Sequence, residues 1–315
     1  MRRARCASSP PFATGALAIL AAMGLLSIST RADAQACCAG SGALTPGRLT
    51  MHDSALAGVQ LRAAGILGSF APSTHYTASP PGTSEYDFEQ DLFGAIRLFQ
   101  HGEVALLLPL VETARRTPTS PSELGGGIGD INVSGRYDFY AAGRSRFVPG
   151  IALLVGATFP TGTAPEAASK PLATDATGTG AYQGSAGVAV EQSYGAWLLN
   201  ATALLALRGT RSVGPIRETL GPQFTAFLAT AYSFPNDAAL ALSASYSLEA
   251  DAVIDDALVP ESARSVATLS VSGVWPISDQ LRLQSALFIN PPISNFGRNL
   301  PATAGGTFAF VYAFR

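Results

Sequence analysis

Apolar and polar side chains alternate along most of this chain. The alternation is plainest over residues 307–314, where Phe308, Phe310, Tyr312 and Phe314 take every second position. Successive side chains of a strand point to opposite faces, so these four form one bulky apolar stripe and Thr307, Ala309, Val311 and Ala313 a smaller one. About twelve segments of this kind follow one another, at 55–68, 85–99, 104–114, 128–140, 146–160, 180–192, 196–208, 220–234, 238–249, 263–275, 280–289 and 303–314. Their connections alternate in length. The short ones are 100–103, 141–145, 193–195, 235–237 and 276–279. The long ones, rich in Pro, Thr, Ser and Gly, lie near 69–84, 115–127, 161–179, 209–219, 250–262 and 290–302.

The two stripes of each strand differ in chemistry. In 128–140, Ile131, Val133, Gly135, Tyr137 and Phe139 alternate with Asp130, Asn132, Ser134, Arg136 and Asp138. In 85–99, Tyr86, Phe88, Leu92, Gly94, Ile96 and Leu98 alternate with Asp87, Glu89, Asp91, Phe93, Ala95 and Arg97. A charge on a lipid-facing strand position costs about 2–4 kcal/mol at the midplane, and backbone groups in lipid must all be paired, which a strand array achieves only by closing. The pattern therefore predicts an all-β fold: an antiparallel transmembrane β-barrel of about 12 strands, with the charged stripe inward, short periplasmic turns and long extracellular loops. The stretches 106–110 and 151–155 are apolar on both faces, which fits lumen positions covered by a plug or a folded loop, a misjudged register, or a soluble two-sheet sandwich.

Composition supports the barrel. Hydrophobic residues make up 47% and charged residues 13%, against about 25% charged in an average soluble domain. Arg2, Arg3 and Arg5 precede an apolar run from Phe12 to Ile28, and Ala32-Asp33-Ala34 offers a small-residue cleavage site, so residues 1–34 read as a secretory signal peptide. Residues 35–54 then form a periplasmic N-terminal segment or plug and 55–315 the barrel of a Gram-negative outer membrane protein. Losing Arg2, Arg3, Arg5, Arg31 and Asp33 moves the formal net charge from −2 to −5, which argues against a nucleic-acid partner. Outer-membrane lipid is the expected surround, and Phe314, beside Arg315, is the aromatic expected to meet the barrel-assembly machinery. Cys37 and Cys38 are adjacent, open to a vicinal disulfide or a link to another chain in an oxidising compartment; Ala34-Gln35-Ala36 is a poor lipobox.

Candidate chemistry lies in the lumen. Arg62, Arg97, Arg136, Arg208 and Arg282 fall on the polar stripes of five strands, with Asp87, Glu89, Asp91, Asp130, Asp138 and Glu191 to neutralise them. Such an array either rigidifies a filled barrel or sets the field of a pore. Phe93, Phe227 and Phe288 also face inward and would form an apolar patch or simply pack. Catalysis finds little support: His52, His75 and His101 lie off the strands, so no wall-mounted Ser-His pair can form, and Asp87, Glu89 and Asp91 pair more simply with arginines. Glu249, Asp251, Asp255 and Asp256 lack the spacing of a Ca²⁺ loop and read as solvated. No metal or cofactor is expected.

Two glycine-rich motifs remain. Gly126-Gly127-Ile128-Gly129-Asp130 opens the fourth strand, and Phe159-Pro160-Thr161-Gly162 closes the fifth, before a re-entry at Thr177-Gly178-Thr179-Gly180. Physically, Gly125, Gly126, Gly127 and Gly129 permit positive φ where a loop meets the rim, and Pro160 ends ladder pairing. A phosphate loop would need a helix after the glycines, whereas a strand follows. In order and spacing, these motifs resemble the outer-membrane proteins of the MetA-pathway phenol-degradation (transporter-like) family. The resemblance implies a barrel passing small hydrophobic or aromatic compounds. The resulting expectation is a channel or uptake protein with a narrow lumen; the alternatives are a structural or surface-interaction barrel with a filled lumen and an outer-membrane hydrolase.

Overall fold

The computed structural model describes residues 48–50 and 52–315; the signal-peptide and Cys37–Cys38 expectations lie outside them. Twelve strands form the wall: β1 (Ala55–Phe70), β2 (Ser84–Phe99), β3 (Gly102–Thr117), β4 (Ile131–Tyr140), β5 (Gly150–Phe159), β6 (Gln183–Tyr194), β7 (Trp197–Arg208), β8 (Gln223–Ser233), β9 (Ala239–Glu249), β10 (Arg264–Pro276), β11 (Leu281–Ile289) and β12 (Pro301–Phe314). Each pairs antiparallel with its sequence neighbours. β12 returns to β1, from Ala55 opposite Phe314 to Ser69 opposite Pro301, and the sheet closes. Both ends of the barrel sequence thus emerge at one rim, the terminal end; the longer loops occupy the other.

The alternation sorts the two faces as the sequence predicts. Phe88, Leu92, Ile96 and Leu98 on β2 are exposed on the outer surface, whereas Asp91, Phe93 and Ala95 are buried inside. Outward leucines recur on nearly every strand, with Trp197, Tyr232, Phe234, Tyr312 and Phe314 in edge-to-face contacts near the terminal end. An apolar belt edged by aromatics is the surface that lipid covers. Glu112, beside Phe88 toward the outer end of β3, is an outward exception.

Two connections differ from the sequence reading. Residues 115–127 are not a long loop: β3 runs on to Thr117, turns through Pro118 and Thr119, and pairs with an arm, Ser120–Ile128, that continues β4 outward. The fourth strand is therefore one long strand broken at Gly129-Asp130. Pro109 of β3 has no N–H to donate there, although its carbonyl takes the Gly129 N–H at 2.8 Å. The turn after β4 is also longer than 141–145, because β5 begins only at Gly150. Residues 141–149 fold under the terminal end, where Gln192 Nε2 donates to the carbonyls of Ser145 and Arg146 and Ala142 packs on Leu198, Ala231, Ala239, Ala241 and Val274.

At the loop end, Thr210–Val213, Ile216–Thr219, Val253–Ile254 and Ala257–Leu258 pair into a small four-stranded sheet that joins two long loops. Thr74, Tyr76, Ser294 and Asn295 tie two others together. The loops are braced to one another rather than free.

Candidate functional site

The interior is organised in three tiers. At the terminal end residues 48–50 and 52–54, just before β1, run inside the barrel. Arg48 places Nη1 and Nη2 on Oε1 and Oε2 of Glu191 at 2.6 and 2.8 Å, and Leu49 donates its N–H to Glu103 at 3.2 Å. Leu49 is buried with Leu56, Phe93, Ala95, Ala309 and Val311, against Ala105 and Leu107. This explains why β3 is apolar on both faces: its inner apolar residues meet the segment, not water. Asp53 is 1% exposed and takes Arg282 Nη1 and Nη2 at 2.9 and 3.0 Å, together with the Thr50 N–H and hydroxyl at 3.1 and 2.7 Å. Burial raises the carboxyl's pKa, but the hydrogen bonds from Arg282 and Thr50 outweigh it and hold Asp53 below the ordinary aspartate value.

Arg97 does not join this ion-pair array. It donates to the backbone carbonyls of Asp53 and Thr50 at 3.0 and 2.6 Å, so it fastens the segment at the rim. Arg136 bonds Asp138 at 2.7 Å and Glu191 at 3.2 Å, and Asn200 donates to Glu191 at 2.9 Å. Arg48, Asp53 and Glu103 are members of the cluster that strand periodicity missed; the first two precede the wall, where no alternation marks them.

The middle tier holds two cavities of about 400 and 240 Å³. The larger is lined by Asn132, Ser134, Arg136, Thr202 and Thr225, and the smaller by Gln60, Arg62, Ser243, Ser270 and Phe288. Phe227, 3% exposed, borders both. Arg62 pairs with Glu89 at 3.0 Å and lies over the Phe288 ring at 5.1 Å. Phe93, Phe227 and Phe288 do not form one patch. Phe93 belongs to the Leu49 cluster and Phe288 stacks beneath Arg62, and no ring contact among the described residues joins the three. Asp91 and Asp87 likewise take neutral donors, Gln60 and Thr113, both at 3.0 Å.

Toward the loop end, Arg208 bonds Glu249 at 2.7 Å, Gln183 at 3.0 Å and Gln223 at 2.6 Å. Glu249 is therefore a buried lumen residue that ends β9, not a solvated loop acid. Asp251 and Asp255 accept the Ala263 and Arg217 N–H groups, which makes them loop braces.

The glycine motifs meet at the outer rim. Asp130, expected to neutralise a lumen arginine, instead accepts the N–H of Gly162 at 3.0 Å and the N–H and hydroxyl of Thr179 at 2.6 and 2.9 Å. Thr161 Oγ1 donates to the Gly129 carbonyl and Thr177 Oγ1 to that of Ile128. The resulting knot pins residues 161–180 against the inner face of the Ser120–Ile128 arm, where Leu172 N–H and Thr174 Oγ1 reach Glu123 and Arg115 reaches the carbonyls of Leu172 and Ala173. Close approach is what the glycines supply. A Cβ on Gly125 would stand 2.5 Å from the Thr174 backbone, and one on Gly162 2.8 Å from Gly178. Of the run, only Gly126 has positive φ, at 159°; at Gly125, Gly127 and Gly129 positive φ is not the reason for glycine. Pro160 leaves β5 at its outer end, and Gly127 faces Thr177. Within this loop, hydrogen bonds from the Ser169 hydroxyl and N–H lower the pKa of Asp175 to about 2.

His75 Nδ1 lies 3.3 Å from Ser294 Oγ in the outer loops. Ser294 Oγ also accepts the Tyr76 N–H, both side chains are solvent-facing, and no carboxylate orients His75 among the described residues. The pair staples two loops and lacks the third member of a hydrolytic site.

No family model matches the chain, and no curated protein matches it, so the resemblance to the phenol-degradation family is not supported at that level. Among solved structures, the chain is similar to the COG4313 outer membrane channel from Pseudomonas putida F1, with a TM-score of 0.68 and 15% identity over 83% of this chain and 96% of that one. The transport unit of the autotransporter AIDA-I from Escherichia coli aligns with a TM-score of 0.49 at 11% identity, covering 89% and 96%. At such identities the first likeness establishes the fold, that of an outer-membrane barrel, and the second carries no argument.

Proposed function

We propose that this protein is a channel of the Gram-negative outer membrane that passes small solutes through its lumen, with the terminal end in the periplasm. In this reading residues 1–34 direct export, Phe314 meets the assembly machinery, and the structure represents a closed state. The observation that carries the reading is the pair of lumen cavities bordered by Phe227, which leave room for a solute above a terminal end filled by residues 48–50 and 52–54 and the 141–149 turn. A purely structural barrel has no need of that space. Twelve strands sit between the filled eight-stranded barrels and the open porins of sixteen, where a narrow path is expected.

Hydroxyls, amides and paired charges alternate with apolar side chains such as Leu107, Leu204 and Phe227 along the lining, which favours small polar or amphiphilic solutes. Hydrophobic or aromatic solutes form a second reading, favoured by Phe227 at the junction of the two cavities. Single-channel recording separates the readings. Conductance blocked by phenol or toluene in the wild type but not in Phe227→Ala supports the aromatic path, and conductance insensitive to both supports the polar one. A correctly folded barrel that never conducts, even with the N-terminal segment released, defeats the channel reading.

A further inference from the structure

The larger lumen cavity is lined on its terminal side by Arg48, Glu103, Arg136 and Asn200, and the carboxylate behind them that Arg48, Arg136 and Asn200 all contact, Glu191, has a principal partner that is not part of the wall. Glu191 is 2% exposed, and both its oxygens are taken by the Arg48 guanidinium. A planar guanidinium set fork-to-fork on a carboxylate is the most specific pairing a side chain offers for this group. Yet Arg48 lies seven residues before β1 and reaches the site through the lumen. The wall contributes Glu103, Asp138 and Glu191 against a single cation, Arg136, so it carries a net charge of −2 that Arg48 halves. Asn200 and Arg136 still hold Glu191 when Arg48 is set aside. The carboxylate is thereby kept oriented for whichever cation arrives.

We infer that Glu191, with Glu103 beside it, is a lumenal binding site for small cations bearing a guanidinium or primary ammonium group, and that Arg48 is its resting occupant. This deepens the channel reading and rests on it for the ligand's route of entry. An acidic wall alone would be no more than a solvated face; here the site is seen filled, with bidentate geometry, by the chemical group it would select. A free cation must compete with Arg48, so its apparent affinity falls by the fraction of molecules in which Arg48 is out. Ligand binding and closure by Arg48–Ser54 are then linked: a cation that takes Glu191 removes one of the segment's two ionic anchors, leaving the one at Arg282.

The test is calorimetric titration of agmatine, which carries a guanidinium and an ammonium but no carboxylate, into the folded full-length protein in detergent. Saturable binding to Arg48→Ala at least about tenfold tighter than to the wild type, lost in Arg48→Ala/Glu191→Gln, is the expected result. Equal affinity for wild type and Arg48→Ala, or binding that survives Glu191→Gln, overturns the inference. If Arg48→Ala fails to fold, Arg48→Lys keeps the charge without the fork; it is expected to bind agmatine more tightly than the wild type, and equality again overturns the site. Bilayer recordings on the same preparations separate the two levels. Conductance without agmatine binding or block removes the cation site and leaves the channel, whereas agmatine binding without conductance in any variant leaves the site and removes the channel.

Discussion

Replacing Asp53 by alanine should release the segment that fills the terminal end while leaving the wall folded. Asp53 accepts two charge-assisted bonds from Arg282 and two from Thr50, and its removal would leave Arg282, 4% exposed, buried beneath the segment without its anion. Removing one partner of a buried ion pair costs about 3–5 kcal/mol. The lower end applies here, because an undocked segment lets lumen water reach Arg282. About 3 kcal/mol is roughly a hundredfold in the docking equilibrium. Hydrogen exchange reads that equilibrium directly: Leu49 and Thr50 donate their amides to Glu103 and Asp53, so protection at Leu49 should fall by about two orders of magnitude in Asp53→Ala while β1 and β12 amides stay protected. Asp53→Ala/Arg282→Ala should recover part of the loss, since the stranded cation is gone. Unchanged protection at Leu49 in a folded Asp53→Ala protein would refute the reasoning, because the Asp53–Arg282 pair would then not hold the segment.

Other consequences are open to direct measurement. Because the docked Asp53 has a lowered pKa, its contribution to closure is complete above the ordinary aspartate value of 3.8 and is lost as pH falls through the lower docked value; in the wild type this contribution should leave conductance unchanged above that value and raise it as pH falls below, with no such rise in Asp53→Asn. Gly125→Val forces a Cβ against Thr174, at about 1–3 kcal/mol, and should hasten subtilisin cleavage within 161–180. Asp130→Ala strips the acceptor from the Gly162 and Thr179 amides, at about 1–3 kcal/mol; it should reach the same endpoint, with the double variant little worse than either. Leu242→Arg puts a charge on the outer face, where Leu242 is 56% exposed, and should lose about 2–4 kcal/mol as seen in a urea titration of the refolded barrel, whereas inward Ser243→Arg should cost less.

The wall was legible because its signal is local. In β2 and β4, apolar and charged residues alternate so strictly that facing follows from period two alone, and closure follows from the need to pair every strand edge in lipid. What alternation could not show is what crosses the lumen. Arg48 meets Glu191 and Asp53 meets Arg282 across 143 and 229 residues, distances set by the circumference of the barrel rather than by any spacing in the chain. Leu107 was a visible anomaly, an inward apolar residue, and its cause is Leu49. The full extent of the 141–149 turn is hidden in the sequence because nothing periodic marks a segment that folds back beneath the rim. In the glycine run, alternation and composition do not separate the backbone freedom that Gly126 uses from the close approach that Gly125 and Gly129 admit, nor a lumen acid from Asp130, which caps the neighbouring loop.

Single-channel conductance of the refolded protein, compared with a chain shortened to begin at Ser54, tests the central claim most directly. A closed channel should show low or intermittent conductance in the longer chain and a steady, larger one when Arg48 through Asp53 are gone. Equal conductance in the two, or none in either from correctly folded barrels, would contradict the view that this segment closes a solute path.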